Sequence, residues 1–213
     1  MPDLTLTPLA LTAFLATVIV MALTPGPDMV LYLGKAISQS RRAGLISFAG
    51  AASGVLVHTL LAAIGLSALL AASATAFSIV KIAGAGYLLF LAYDAIRNGS
   101  SFAIATAVSG ESPRTLYVKG FLVNLLNPKI VIFFLTLLPQ FVAADDPNAT
   151  ATLIFLGVAF LVIATPICVT QILAASAIAR FLRRSSWAMR AVDFMFAGVM
   201  SAFAVKLALS DWR

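Results

Sequence analysis

The sequence predicts an all-α membrane protein with six transmembrane helices. Hydrophobic residues make up 62% of its 213 residues and charged residues only 10%, whereas soluble domains carry about 25% charged residues. The chain therefore lacks the polar side chains that a water-facing surface needs. A helix needs roughly 20 apolar residues to cross the hydrocarbon core of a bilayer, and segments of that kind fill nearly the whole chain. We expect one transmembrane domain over residues 1–213.

Short polar or charged connections separate the apolar segments. The predicted spans cover approximately residues 8–33, 44–72, 76–97, 116–141, 150–178 and 190–209. The residues before the first span include Asp3 but no lysine or arginine. A secretory signal peptide begins with positive charge, so the first segment is interpreted as a span that stays in the protein.

Basic residues collect in alternate connections, which predicts the orientation of the chain. Lys35, Arg41 and Arg42 lie between the first two spans, and further arginines surround the third and fifth connections. The fourth connection instead holds Asp145 and Asp146. Because cytoplasmic loops are enriched in lysine and arginine, this pattern predicts that both termini lie on the extracytoplasmic side.

The spans fall into two halves, about 1–97 and 116–213, joined by a connection rich in Ser, Gly, Ala and Thr. This connection is expected to be a flexible cytoplasmic linker. Thr24-Pro25-Gly26-Pro27-Asp28 interrupts the first span, and Asn127-Pro128-Lys129 interrupts the fourth. Three spans in each half make corresponding helices run in opposite directions. Paired interrupted helices in inverted halves indicate the binding site of a transporter.

The first interruption is expected to break its helix. Proline removes a backbone N–H and clashes with the preceding turn, and the freed carbonyls in a bilayer need partners from protein, water or ligand. The candidate binding residues here are Thr24, Pro25, Gly26, Pro27 and Asp28. Asp28 either caps the helix that resumes or holds a substrate ammonium or a proton. Ionisable groups at membrane depth are costly and usually functional, which favours the second interpretation.

The second interruption places a lysine deep in the fourth span. Lys129 lies about ten residues from either end of that span, close to Asn124, Asn127 and Pro128. Lys129 either holds a substrate carboxylate or pairs with Asp28 as a structural lock, since a buried ion pair fixes a fold without serving chemistry. Both interpretations stay open.

The second span carries two weaker signals. His58 is the only histidine. It is either a proton relay, because its ordinary pKa is near neutrality, or the donor of an interhelical hydrogen bond. Gly50 and Gly54 form a GxxxG spacing that favours close helix packing, within the chain or in a homodimer.

Several function classes are disfavoured by what the sequence lacks. Cys168 is the only cysteine, so a disulfide within the chain or a cysteine-built metal site is excluded. There is no phosphate-binding GxxxxGK[ST] loop and no GxSxG nucleophile motif. The net charge of +6 is explained by cytoplasmic loops rather than by nucleic acid. We expect no cofactor, no metal site and no enzymatic activity, which leaves transport driven by an existing gradient.

Two runs of residues are similar to motifs of a known family. The first is Leu23-Thr24-Pro25-Gly26-Pro27-Asp28. The second extends from Gly120 to Lys129 and is followed by Phe133-Phe134 and Leu138-Pro139-Gln140-Phe141. They resemble the first-span and fourth-span signatures of the lysine-exporter and threonine-efflux (LysE/RhtB) family of bacterial amino-acid exporters. The resemblance covers essentially the whole chain.

The resemblance implies proton-coupled efflux of an amino acid or close derivative across the bacterial cytoplasmic membrane. Asp28 and the carbonyls of residues 24–27 would then hold the substrate ammonium, and Lys129, Asn124 and Asn127 its carboxylate. A neutral or small polar side chain is favoured, because no further carboxylate lies deep in a span. The alternatives are an exporter of a cation or another metabolite, and a structural or sensor protein in which Asp28 and Lys129 only lock the helices.

Overall fold

The structure is a computed structural model that describes residues 8–66, 110–143, 146–177 and 186–209, with single residues and short runs between 79 and 97. Within these residues all regular structure is helical and no strand occurs. This agrees with the predicted all-α class. The third span (76–97) and the linker between the halves lie largely outside the described residues.

The described residues include seven α-helices, some of which are extended by π-helical or 3₁₀ turns. They are α1 (Pro8–Leu23), α2 (Pro27–Ser38), α3 (Arg41–Leu61), α4 (Pro113–Leu125), α5 (Pro128–Ile132), α6 (Ala149–Leu173) and α7 (Ser186–Leu209). A π-helical turn, Ala62–Leu66, extends α3. A π-helical turn, Phe133–Leu137, and a 3₁₀ turn, Leu138–Phe141, extend α5.

Within the described residues, two helices are long and apolar enough to cross a membrane, and four spans result if each bent pair is counted as one. The straight helices are Arg41–Gly65 and Ala149–Leu173. The pair α1 and α2 is bent by 51°, and the pair formed by α4 with Pro128–Phe141 is bent by 49°. The breaks lie at the two interruptions that the sequence predicts. The number of six spans and the side of each terminus remain predictions.

Local sequence explains where these helices begin. Pro27 and Pro128 occupy the first turns of α2 and α5, where the missing N–H costs nothing. The side chains of Ser40 and Ser112 accept hydrogen bonds from Ala43 N and Thr115 N at the starts of α3 and α4. A capping serine of this kind satisfies one of the free amides of a helix terminus.

Glycines bring α3 and α4 into backbone contact. A Cβ atom at Gly50 would overlap the carbonyl oxygen of Tyr117, and one at Gly120 would overlap the carbonyl oxygen of Ser47. Gly54 faces the side chain of Asn124 in the same way. The GxxxG spacing of Gly50 and Gly54 therefore packs α3 against α4 within one chain. Because these glycines are used within the chain, the GxxxG spacing gives no support for a homodimer, which stays a prediction.

An aromatic cluster fills the core beside this pair of helices. The rings of Phe133, Phe134 and Phe160 lie with centroids 5.0–5.7 Å apart. The imidazole of His58 stacks on Phe134 with centroids 5.8 Å apart. The extension of α5 is thereby held against α3 and α6.

Candidate binding site at two facing helix breaks

The two helix breaks lie against each other in the structure. Asn124, which precedes the second break, donates from Nδ2 to Oδ2 of Asp28, which follows the first break, at 3.3 Å. Lys129, which follows the second break, donates from Nζ to the carbonyl of Thr24, which precedes the first, at 2.9 Å. This crossed pattern means that the two interrupted segments run in opposite directions where they meet.

Proline chemistry creates the acceptors at the first break. Pro25 has no N–H, so the carbonyl of Met21 loses the partner that a continuous helix would supply. Nζ of Lys129 lies 3.3 Å from Met21 O. The carbonyl of Ala22, one residue on, accepts from Nε2 of Gln171 at 3.2 Å. Two side chains from other helices thus satisfy the carbonyls of Met21 and Ala22 at the end of α1.

The ammonium of Lys129 is buried among these carbonyls. The residue is only 4% exposed, and the ideal Cβ position of Gly26 lies 2.9 Å from its Nζ. Glycine at position 26 therefore gives the ammonium room. Oδ1 of Asp28 is 4.0 Å from Nζ, at the outer limit of an ion pair. The main-chain oxygens, not Asp28, are the closest partners of Lys129.

Asp28 lies at the start of the resumed helix, as its position after Pro27 predicts. Its Oδ1 accepts from the backbone N–H of Met29 at 2.9 Å. Carboxylates are stabilised at helix N-termini by the free amides and the helix dipole. The side chain nevertheless stays 13% exposed and lines a pocket, so its local capping bond leaves it within reach of a ligand.

The asparagines of the second break have incomplete hydrogen bonding. Oδ1 of Asn127 accepts from Lys129 N at 3.1 Å and so caps α5. Among the described contacts, Nδ2 of Asn127 and Oδ1 of Asn124 are buried without a partner. A buried polar atom without a partner carries a free-energy cost, and each such atom in a native structure calls for an explanation.

His58 lies next to this site but contacts its backbone only. Its Nε2 is 3.4 Å from the carbonyl oxygen of Asn124, and the residue is 7% exposed. The contact matches the interhelical hydrogen bond that the sequence offered as one interpretation. The proton-relay role stays a prediction.

A pocket opens beside the breaks, with an empty volume of about 480 Å³ that includes space open to the surface. Asp28, Asn124 and Lys129 line it, and its other walls are mostly apolar. Those apolar residues include Met21, Met29, Phe48, Val55, Ile130, Phe160 and Leu161. Among the described lining residues, only Asp28 and Lys129 are charged. The pocket thus offers one anionic and one cationic group to a small molecule.

Two polar residues of this region were not predicted as site residues. Tyr32 lines the pocket with Cys168, and its hydroxyl donates to Oε1 of Gln171 at 3.1 Å. Tyr32 lies four residues after Asp28, which places both on one face of α2. Gln171 is an amide within an apolar span. The four-residue spacing from Asp28 could have identified Tyr32, and the amide in an apolar span could have identified Gln171.

A charged cluster lies away from the pocket, at the far end of α2. Oε1 of Glu111 is 2.5 Å from Nζ of Lys35, and Oε2 is 3.1 Å from Nζ of Lys119. Glu111 N also donates to Oε1 of Gln39 at 3.3 Å. Hydrogen bonds from both lysines lower the pKa of Glu111 below its ordinary value of 4.5. We call these residues the Glu111 cluster; it joins the end of α2 to the start of α4.

An antiparallel pair of broken apolar helices around a pocket with two opposite charges is typical of a membrane translocator. Comparison with known proteins agrees. The sequence model of the family described as LysE type translocator matches residues 19–211. The chain belongs to this family and is therefore a membrane transporter rather than an enzyme.

Its relatives include efflux proteins of enteric bacteria. The chain is 33% identical over 151 residues to the homoserine/homoserine lactone efflux protein of Salmonella typhimurium, an overlap of 71% of this chain and 73% of that protein. It is 30% identical over 140 residues to the threonine efflux protein of Escherichia coli, with 62% and 66% covered. It is 35% identical over 136 residues to an uncharacterised membrane protein of Vibrio cholerae, with 64% and 65% covered. No solved structure matches the chain.

Proposed function

We propose that this protein is a secondary transporter of the bacterial cytoplasmic membrane that exports an amino acid or close derivative. The observation that carries the proposal is the pocket between the two facing breaks, where Asp28 and Lys129 place opposite charges beside the main-chain oxygens at the end of α1. A zwitterion needs one partner for its ammonium and another for its carboxylate. Charged groups at membrane depth usually mark a substrate or ion pathway.

The expected substrate is an amino acid or derivative with an uncharged side chain. Among the described lining residues Asp28 is the one carboxylate, so a second positive charge on the substrate would be left unpaired. The relatives named above carry homoserine, homoserine lactone and threonine in their names. In these compounds a primary amine is bonded to the α-carbon, which also bears the carbonyl group, and the rest of the molecule is small and either polar or cyclic.

The proposed architecture is six spans in two inverted halves, residues about 1–97 and 116–213, with a cytoplasmic linker and both termini outside. Support comes from the nearly equal bends of 51° and 49° and from the crossed contacts of Asn124 and Lys129. Residues that precede one break contact residues that follow the other, so the two broken segments are antiparallel, which suits inverted halves. The halves would alternate access to the pocket by rocking around it.

Asp28 is the proposed site of proton coupling. Among the described lining residues it is the one carboxylate, and binding of a proton changes its charge and hence the preferred orientation of the transporter. A ligand shifts such an equilibrium only through its different affinity for the two states. A proton on Asp28 would weaken the hydrogen bond from Asn124 that joins the two breaks.

The test is efflux of a panel of radiolabelled amino acids from preloaded cells. Accelerated efflux of one or a few neutral amino acids is expected, with loss in Asp28→Asn and Lys129→Ala at equal membrane abundance. Arg114→Gln is the matched control, because Arg114 is exposed and does not line the pocket. Collapse of the proton gradient should stop efflux if coupling is to protons. Correctly inserted protein that accelerates efflux of no tested amino acid would contradict the proposal.

A further inference from the structure

We propose that the ammonium of Lys129 occupies the site at which the amino group of the substrate binds, so that each substrate must displace it. This inference rests on the proposed function, because it concerns the amine of an exported amino acid. The sequence instead assigned Lys129 to the substrate carboxylate or to a lock with Asp28. The structure places its Nζ on the carbonyls that were expected to hold the substrate ammonium.

The acceptors of this site are fixed by the chain itself. Pro25 removes the N–H that would pair with Met21 O, and the bend that follows leaves Thr24 O outside a regular helix. In a bilayer such carbonyls require a donor. An ammonium is well suited, because it offers three N–H groups and its charge strengthens each hydrogen bond. The substrate amine and the lysine amine are the same chemical group in this respect.

The ammonium of Lys129 is bound by main-chain carbonyls and is not closely paired with Asp28. Two of its N–H groups are directed to Thr24 O at 2.9 Å and Met21 O at 3.3 Å. The third partner, Asp28 Oδ1, lies 4.0 Å away and is already bonded to Met29 N. Asp28 therefore keeps capacity for a second cation that enters from the pocket.

The pocket provides the route for that exchange. Lys129, Asp28 and Asn124 all line it, so a ligand in the pocket lies next to both the carboxylate of Asp28 and the amine of Lys129. The lysine is attached to the chain, which gives it a high effective concentration at the carbonyls. Return of Lys129 would then assist release of the substrate. Competition from Lys129 would therefore weaken substrate binding and speed substrate release.

The inference is tested by binding and transport with Lys129→Met, which keeps an unbranched side chain, one atom shorter, and removes its amine. The probes are the neutral amino acid that the wild-type protein exports and the methyl ester of that amino acid, which keeps the amine and lacks the carboxylate. Both probes should bind about tenfold more tightly to Lys129→Met, the factor expected when one charge-assisted hydrogen bond no longer competes. Efflux should show a lower KM together with a lower kcat.

Two further variants keep the test decisive. Lys129→Gln leaves an N–H donor for the carbonyls and protects the fold if Lys129→Met is poorly folded; a smaller gain of affinity for both probes is expected. Lys119→Met removes a lysine outside the pocket and should leave both affinities unchanged.

The outcomes separate the possible roles of Lys129. Weaker binding of the amino acid with unchanged binding of its ester would show that Lys129 holds the carboxylate, and the inference would be wrong. Unchanged affinity for both probes would make Lys129 a lock, which also overturns it. Wild-type protein that exports no amino acid overturns the proposed function itself, a result seen before any variant is made.

Discussion

The ammonium of Lys129 lies 2.9 Å from the main-chain carbonyl of Thr24, across two breaks that are more than a hundred residues apart in sequence. The contact joins a cation after the second break to an acceptor before the first. It explains why a lysine is stable at this depth, since main-chain oxygens replace its water shell. Because the ammonium is closely surrounded, a small increase in the size of a neighbouring side chain should displace it.

Gly26→Ala tests that sensitivity. The new methyl group would lie 2.9 Å from Nζ and 3.0 Å from Cε of Lys129, so the end of that flexible side chain must move. We expect a folded protein with clearly altered efflux kinetics, because the ammonium can no longer hold both carbonyls. Gly34→Ala is the control, since no heavy atom lies within 4 Å of its Cβ position. Wild-type KM and kcat in Gly26→Ala would show that the position of Lys129 is unimportant.

The glycine contact between α3 and α4 predicts a stability effect. Gly50→Ala and Gly120→Ala each place a methyl group on a backbone carbonyl of the facing helix, and overpacking of this kind typically costs about 1–3 kcal/mol. Thermal unfolding in detergent should show a lower Tm for both. Gly198→Ala, with open space around its Cβ position, should keep the wild-type Tm or raise it. Equal Tm values for all three would rule out the close contact.

The Glu111 cluster predicts a pH-dependent stability. The pKa of Glu111 is lowered in the folded protein by Lys35 and Lys119, so its ionised form stabilises the fold. That contribution is fully present above the ordinary pKa of about 4.5 and is lost as the pH falls through the lowered value. Glu111→Gln should lower the Tm by up to about 2–4 °C at pH 7, the range for a surface ion pair. The difference from wild type should vanish in strong acid.

A Tm difference that persists unchanged at low pH would mean that Glu111 acts through packing rather than charge. The matched control is Asp146→Asn. Asp146 accepts from Asn148 N at 2.7 Å and from Thr152 Oγ1 at 2.7 Å, with no described lysine beside it. Its substitution removes a carboxylate that accepts its described hydrogen bonds from uncharged groups and not from lysines.

Tyr32 and Gln171 predict a measurable coupling. Tyr32→Phe removes the hydroxyl that donates to Gln171 Oε1, and Gln171→Leu removes the donor to Ala22 O as well. A double-mutant cycle on thermal stability should give a coupling of about 0.5–1.5 kcal/mol, the net worth of one hydrogen bond. Thr170→Val paired with Tyr32→Phe should give none, because Thr170 bonds to Pro166 O within its own helix. Strict additivity of the first pair would contradict the contact.

His58→Gln decides between the two interpretations of this histidine. An amide can still donate to the carbonyl of Asn124 but cannot carry a proton at physiological pH. The backbone contact at 3.4 Å and the stacking on Phe134 lead us to expect efflux that is mostly retained and still driven by the proton gradient. Efflux that is abolished at normal membrane abundance would instead support a proton relay.

The sequence by itself determined the class of the fold and the position of both breaks. Composition and apolar length required membrane helices, because too few polar residues exist to face water. Pro25, Pro27 and Pro128 predicted interruptions, because proline lacks the N–H that a helix uses and each lies next to glycine or asparagine. The lone Pro166 is instead accommodated within α6. Asp28 and Lys129 were identifiable for the same kind of local reason, as charges in segments that otherwise avoid them.

Only the tertiary structure decided which groups meet. The sequence could not tell that Lys129 contacts Thr24 O and Met21 O, because a side chain in one break finds main-chain oxygens in the other through packing of distant helices. It also could not place Gly50 against Tyr117 rather than against a second copy, since a GxxxG spacing has no preferred partner. Glu111 was missed because a single glutamate beside the linker looks like any solvated charge until Lys35 and Lys119 are brought to it.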